Sequence, residues 1–243
     1  MPRWGAGMAD LDELRSRQGR QRRMEQDAGD PRADAATLAL MLSERGIDLA
    51  GDQVERLARF HNRLVEANRS HNLTRIWTLQ DIVLKHYVDS LLVLRYLPRL
   101  PSPLLDLGSG AGFPGVPLKI ASPQTEVVLA EAQRKKAAFL KEVCADLALQ
   151  GLTAVERSID KGFDLAVGGV ITRAVEGIRE TLRRVRPFLP AGGLVIFMKG
   201  PAVDAEKVIA GRALGREFAE VADHAYLLPG TASGRRLVVY RKK

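Results

Sequence analysis

Apolar residues recur at helical spacing three times in the first hundred positions, and then the period changes. Leu38, Met41 and Leu42 fit a helix that begins after Asp34 and takes Gly46 as its C-cap. After Asp52, the residues Val54, Leu57, His61, Leu64, Val65 and Asn68 follow at steps of three and four, which places them on one face of a second helix. The stretch Ser70-His71-Asn72-Leu73-Thr74-Arg75-Ile76 is polar, and its short side chains compete for the backbone, so it reads as an ordered connector. Leu79, Ile82, Val83, His86, Tyr87, Leu91, Leu94 and Leu97 then mark a third long helix, ended by Pro98 and Pro101. Lys85, His86, Asp89 and Ser90 interrupt its otherwise apolar face.

From residue 104 onward short apolar runs alternate with helical patterns. Strands are expected at 104–108, 126–132, 152–158, 164–172 and 193–199, and helices at 115–121, 134–149, 176–189 and 202–214. Such alternation predicts a doubly wound α/β fold with a mainly parallel sheet covered on both faces. The end of the chain differs: Ala219–Leu228 and Arg236–Tyr240, joined by a turn-rich Pro229–Gly234, read as an antiparallel hairpin. A nucleotide-binding sheet that closes in this way is the class I methyltransferase arrangement, whereas a dehydrogenase sheet more often continues with parallel units. The expected organisation is a tail over 1–33, disordered or a frayed helix, a helical cap over 34–100 and a Rossmann-like core over 101–243.

Composition narrows the setting. No apolar run approaches 18 residues, and the N-terminus has no apolar core ahead of a cleavage site, so a cytoplasmic protein without a membrane span is expected. Cys144 is the only cysteine, which leaves no disulfide framework and no zinc cluster, and no metal is expected. It lies among apolar neighbours in a helical pattern, as a small buried hydrophobe would. The formal net charge is +8. Residues 1–36 hold seven basic and seven acidic side chains, while 51–100, 151–200 and 201–243 carry +3 each. The excess therefore belongs to the folded surface, and a polyanionic partner suits it.

The candidate chemistry centres on Leu104–Lys119, which reads as strand, glycine loop and helix. Gly110-Ala111-Gly112-Phe113-Pro114-Gly115 satisfies the dinucleotide pattern G-x-G-x-x-G, and Glu131 follows about 20 residues on, where that fold keeps its ribose carboxylate. Other features favour S-adenosylmethionine. The glycine run begins earlier, at Gly108, with Asp106 in the strand end, and a carboxylate there helps a sulfonium and an ammonium but not a pyrophosphate. Pro114 and Pro117 also remove N–H donors that a phosphate would need.

Several stretches together resemble the ribosomal RNA small-subunit methyltransferase G family. They are His71-Asn72-Leu73-Thr74, Lys85-His86-Tyr87-Val88-Asp89-Ser90, the loop Asp106 to Gly115, Ile171-Thr172-Arg173-Ala174 and Met198-Lys199-Gly200. The resemblance covers about residues 35–243. It implies a class I fold, S-adenosylmethionine as cofactor, and methyl transfer to N7 of a guanine in small-subunit ribosomal RNA, naked or in an assembling ribosomal particle. It also implies cofactor contacts at Gly108, Phe113, Ile159, Asp160 and Arg173, to which the loop adds Asp106 and Gly110. Glu131 would accept both ribose hydroxyls and Asp160 the adenine amine, although the family usually has Glu in place of Asp160.

The residues also limit the type of transfer. Cytosine C5 methylation needs a thiolate nucleophile, and Cys144 sits mid-helix. Exocyclic amine methylation usually brings a Pro-Pro-aromatic motif after the fourth strand, where this chain has Thr172-Arg173-Ala174-Val175. Guanine N7 bears a lone pair and no proton, so positioning suffices. Asn72, His86 and Lys199 are the substrate-positioning candidates, and ribose 2′-O methylation using Lys199 stays open. Arg75, Lys85, Arg173, Lys199, Arg235 and Arg236 are the expected RNA contacts. A non-enzymatic RNA-binding assembly factor with a relict pocket is the remaining alternative.

Overall fold

A computed structural model describes residues 30–159, 162–173 and 175–243. Most of the expected tail, and Asp160 among the candidate site residues, lie outside the described residues.

Helix α1 (Ala35–Ser43) starts where the Asp34 side chain accepts the Thr37 N–H at 2.8 Å, an N-cap of the usual kind. Helix α2 (Gly51–His71) buries Val54, Leu57, His61, Leu64, Val65 and Asn68 on the face that their spacing predicts. The third segment is less regular than expected. Helix α3 (Leu79–Ile82) runs into a π-helical stretch (Val83–Val88), which continues as α4 (Asp89–Leu91) and α5 (Val93–Tyr96). The apolar intervals of three and four persist through the widened turn, so periodicity alone does not disclose it.

The remainder follows the order β1 (Leu104–Leu107), α6 (Gly115–Ala121), β2 (Val127–Glu131), α7 (Arg134–Leu147), β3 (Leu152–Glu156), β4 (Gly169–Arg173), α8 (Ile178–Val185), β5 (Leu194–Lys199), α9 (Asp204–Leu214), β6 (Phe218–Leu227) and β7 (Gly234–Lys242). The sheet order is β3-β2-β1-β4-β5-β7-β6. Strands β1 to β5 run parallel, and β7 lies antiparallel between β5 and β6. This is the class I methyltransferase topology, with the terminal hairpin where the turn residues place it. Strand β4 starts at Gly169 rather than at 164. Its partner β1 begins at Leu104, paired with Gly169, and the preceding Pro101 and Pro103 offer no N–H to extend the ladder.

Strand alternation divides the core into two. Leu104, Ile171, Ile196, Met198, Leu237 and Val239 face α1, α2, the third helical segment, α6 and α7. Leu105, Leu107, Val170, Val195, Phe197 and Val238 face α8 and α9. The helices before residue 100 thus close one face of the sheet, sharing a continuous apolar core with it. Among the described residues no helix is long and apolar enough to cross a membrane.

Candidate active site at the carboxyl ends of the strands

The strand order reverses between β1 and β4, and in open α/β sheets the crevice outside the carboxyl ends at that point takes the ligand. Asp106 lies on the cap-side face of β1, and its Oδ2 accepts the Gly115 N–H at 2.9 Å. Its Oδ1 is buried without a hydrogen-bond partner. Burial pushes this carboxyl up to about 7, against the pull of the Gly115 hydrogen bond. Gly115 must be glycine for reasons of space, since a Cβ there would come within 2.4 Å of Leu129 and 2.6 Å of Asp106 Oδ2. At the end of β2, Glu131 accepts the Gly110 N–H at 3.0 Å on one oxygen and the Gln133 N–H at 2.8 Å on the other. Gly110 has φ +59°, and a Cβ there would find nothing nearer than 3.9 Å, so the loop is open on that side. Gly108 is different: Val175, the first described residue after β4, lies against it.

The cap completes the site through an aromatic and ionic cluster. Phe113 is buried, with its ring stacked on His86 at 4.2 Å between centroids and tilted against Phe60 and Tyr87. Arg173 donates to the Lys85 carbonyl at 2.8 Å and to His86 Nδ1 at 3.0 Å. A guanidinium only donates, so Nδ1 is the acceptor, and His86 Nε2–H is left to donate to Thr74 Oγ1 at 3.0 Å. Burial, together with the charge of Arg173, lowers His86 to about 3, which holds the ring neutral. Asp89 lies beneath this pair. It faces Arg173 at 3.4 Å, Arg235 at 3.3 Å and the Tyr226 hydroxyl at 3.4 Å.

Alternation carries two of the expected RNA cations to the other face. Ile171 and Leu237 face the cap, so Arg173 and Arg235 follow them there; Phe197 and Val238 face α8 and α9, as do Lys199 and Arg236. Lys199 donates to the Glu176 carbonyl at 2.7 Å and to Glu206 at 2.9 Å, supporting the segment after β4 from behind. Arg236 is held by Asp223 and Asp204 through its Nε and Nη2. Lys199 and Arg236 are therefore ion-paired side chains in this structure and do not open onto the crevice. Sequence reading did not single out Arg184, which makes a bidentate pair with Glu176 at 2.8 and 2.7 Å and donates to the Ile159 carbonyl at 2.9 Å. Arg184 thereby fastens the segment after β3 to the segment after β4. Ile159 itself is buried against the α8 and α9 core.

The remaining candidates lie on the cap. Asn72 is the left-handed C-cap of α2 at φ 50°, Arg75 is exposed on the connector, and Lys85 pairs with Asp81 at 2.8 Å. Two carboxylates at the switch point, one with an orphaned buried oxygen, suit a ligand that carries positive charge and ribose hydroxyls. Glycine loop and carboxylates together fit S-adenosylmethionine.

Comparison with known proteins agrees. The family model described as rRNA small subunit methyltransferase G matches residues 53–222. Ribosomal RNA small subunit methyltransferase G 2 of Syntrophobacter fumaroxidans is 46% identical over 219 residues, covering 87% of this chain and 43% of that protein. The protein of the same description from Bdellovibrio bacteriovorus is 42% identical over 206 residues, covering 84% of this chain and 80% of that one. Among solved structures, the glycopeptide N-methyltransferase MtfA complexed with S-adenosyl-L-methionine superimposes with a TM-score of 0.52 at 16% identity, covering 65% of this chain and 94% of that chain, and so shares the fold. With the family model matched from α2 to β6 around this crevice, the chain belongs to the ribosomal RNA small-subunit methyltransferase G family.

Proposed function

We propose that this chain transfers the methyl group of S-adenosylmethionine to N7 of a guanine in small-subunit ribosomal RNA. The observation that carries the reading is the Asp106 and Glu131 pair at the switch point of a chain of this family. Bound S-adenosylmethionine supplies an electrophilic methyl on a sulfonium. Glu131 would hold the ribose and Asp106 the amino-acid end, where an ammonium would meet the free Oδ1. Asp160, Ile159 and Gly108 would enclose the adenine side, and Phe113 acts indirectly, by seating the loop against His86.

Guanine N7 has no proton to lose, so the acceptor needs orientation and not a base. The protein is built accordingly. His86 has both ring nitrogens engaged and is held neutral, and Arg173 beside it can donate toward guanine O6 at the mouth of the crevice. Ribose 2′-O methylation would need a base, and its candidate Lys199 is bonded to Glu176 and Glu206 on the other face. A relict pocket is disfavoured by the intact glycine loop and carboxylates. Residues 34–100 serve as a cap on the core over 101–243, and the substrate is ribosomal RNA in an assembling particle, recognised largely through phosphates. The test is to incubate the protein and cofactor with small ribosomal subunits from a strain lacking the modification, and to map the methyl group chemically. Methyl at guanine N7 is expected. Methyl on a ribose oxygen would overturn the assignment.

A further inference from the structure

We infer that a basic groove between the C-terminal turn of α2 and the first turns of α7 holds backbone phosphates of the RNA strand flanking the target guanine. This inference rests on the ribosomal RNA reading above. The groove has a volume of about 360 Å³ and is lined by His71, Arg134 and Lys135, over a floor that includes Ala67, Ala138 and Phe139. Phe139 is buried and the three polar side chains are exposed. The side chains of Arg134 and Lys135 make no ion pair or hydrogen bond with the described residues, although Arg59 and Arg63 on the neighbouring face of α2 are matched by Asp146 and Glu142. The groove's acid, Glu142, is turned toward Arg63.

The position of the groove gives it a substrate. Both of its walls lead directly to the crevice. Along one wall, α2 ends at His71 and the connector reaches Thr74, which bonds the ring of His86. Along the other, Gln133 precedes Arg134 and its N–H is bonded to Glu131, the ribose carboxylate. A strand that presents a guanine to the crevice thus has its neighbouring nucleotides beside these cations. A concave site with a short apolar floor and long cations at its rim suits a sugar-phosphate backbone, because the floor accepts ribose while guanidinium and ammonium meet phosphate. Arg75, exposed on the connector, extends the same positive edge. The charge of the folded surface is then used in two places: Arg173 and Arg235 at the crevice, and an unmatched set along the approach to it.

The test is the salt dependence of binding to undermethylated small ribosomal subunits, measured by filter binding for the parent and two paired variants. R134A/K135A removes the groove cations, and R212A/R216A removes two exposed cations from α9 and the turn after it. The groove pair should weaken binding at least about tenfold and lower the slope of log affinity against log salt by about one to two. The control pair should leave both nearly unchanged. Calorimetric affinity for S-adenosylmethionine should be the same in all three proteins. Removing Arg134 and Lys135 from the positive end of α7 does not destabilise it, and removing Arg212 from the last turn of α9 costs about 0.3–1 kcal/mol, so loss of folding does not confound the comparison. An unchanged slope in the groove variant, or equal losses in both pairs, would overturn the inference. Because the readout is binding, methyl mapped to a site other than N7 would overturn the transfer assignment while the salt slopes still decide the groove.

Discussion

The two faces of the sheet receive the same kind of residue at their carboxyl edge and treat it differently. On the cap face, Arg173 and Arg235 share one carboxylate, Asp89, which is 4% exposed. On the other face, Arg236 meets Asp223 and Asp204, and Lys199 meets Glu206, so acids are at least as numerous as cations. With His86 neutral, Arg173, Arg235 and Asp89 together carry one more positive charge than negative, and the neighbouring Asp106 carboxyl, pushed up to about 7, offsets it only in part. In the function proposed above, that surplus meets the acceptor edge of an incoming guanine, whereas the matched pairs of the other face hold the fold together.

Removing the shared acid should break this comparison most severely. Asp89→Ala leaves two guanidinium groups half-buried without a counter-charge and should cost about 3 kcal/mol. Glu206→Ala leaves Lys199 its bond to the Glu176 carbonyl but also removes the acceptor of the Ile178 N–H at the start of α8, and should cost about 1–2 kcal/mol. Urea unfolding of the two variants checks this, and equal losses would erase the distinction between the faces. Next in size is Arg184→Lys, which keeps the charge but loses the bidentate grip on Glu176 and the bond to the Ile159 carbonyl. Affinity for S-adenosylmethionine should fall roughly tenfold by calorimetry, about 1.4 kcal/mol. An unchanged value would make the clamp a purely structural pair.

Asp106 gives a smaller, pH-dependent effect. Its folded-state value of about 7 stands above the ordinary 3.8, so its contribution to stability is present below about pH 4 and declines as pH rises toward 7. A cationic ligand prefers the ionised form, so binding near pH 6 should release a proton and affinity should rise with pH up to about 7. Calorimetry in buffers of different ionisation enthalpy should detect that proton, and Asp106→Asn should abolish it. The smallest expected effect is none: the single-turnover rate should show no titration of His86 from about pH 6 to 9, because the ring is already neutral there. His86→Gln should then cost less than the roughly 10²-fold that loss of a general base usually brings. A rate climbing tenfold per pH unit in the parent and flat in the variant would show that the ring does move a proton.

Much of this was legible from residue order. The glycine loop, the carboxylates on two consecutive strands and the terminal hairpin depend on turn chemistry and on periodicity, both of which are local. The direction of the strand-end cations was not legible, because Arg173 and Lys199 occupy equivalent-looking places in sequence and differ by one step of alternation relative to the sheet. Asp89 could be seen as an acid on an apolar helix face, but its partners Arg173 and Tyr226 are 84 and 137 residues away. Arg184 shares its helix with Arg179 and Arg183 and nothing in the order of residues sets it apart, since its contact at Ile159 depends on how two loops fold toward each other. The late start of β4 was visible in principle: Pro101 and Pro103 border its partner.

The π-helical stretch at Val83–Val88 gives the cap a fixed phase. A residue in a regular helix advances by about 100° around the axis, so a turn that holds one extra residue rotates everything after it by that amount. The Lys85 carbonyl and the His86 ring, inside the widened turn, and Asp89, directly after it, meet the same Arg173. Deleting one residue from this stretch would restore an ordinary helix and keep its apolar content. It would also turn Asp89 away from both arginines. The cap is thus indexed to the sheet by the number of residues in a single turn, and a sequence one residue shorter there would be helical and out of step.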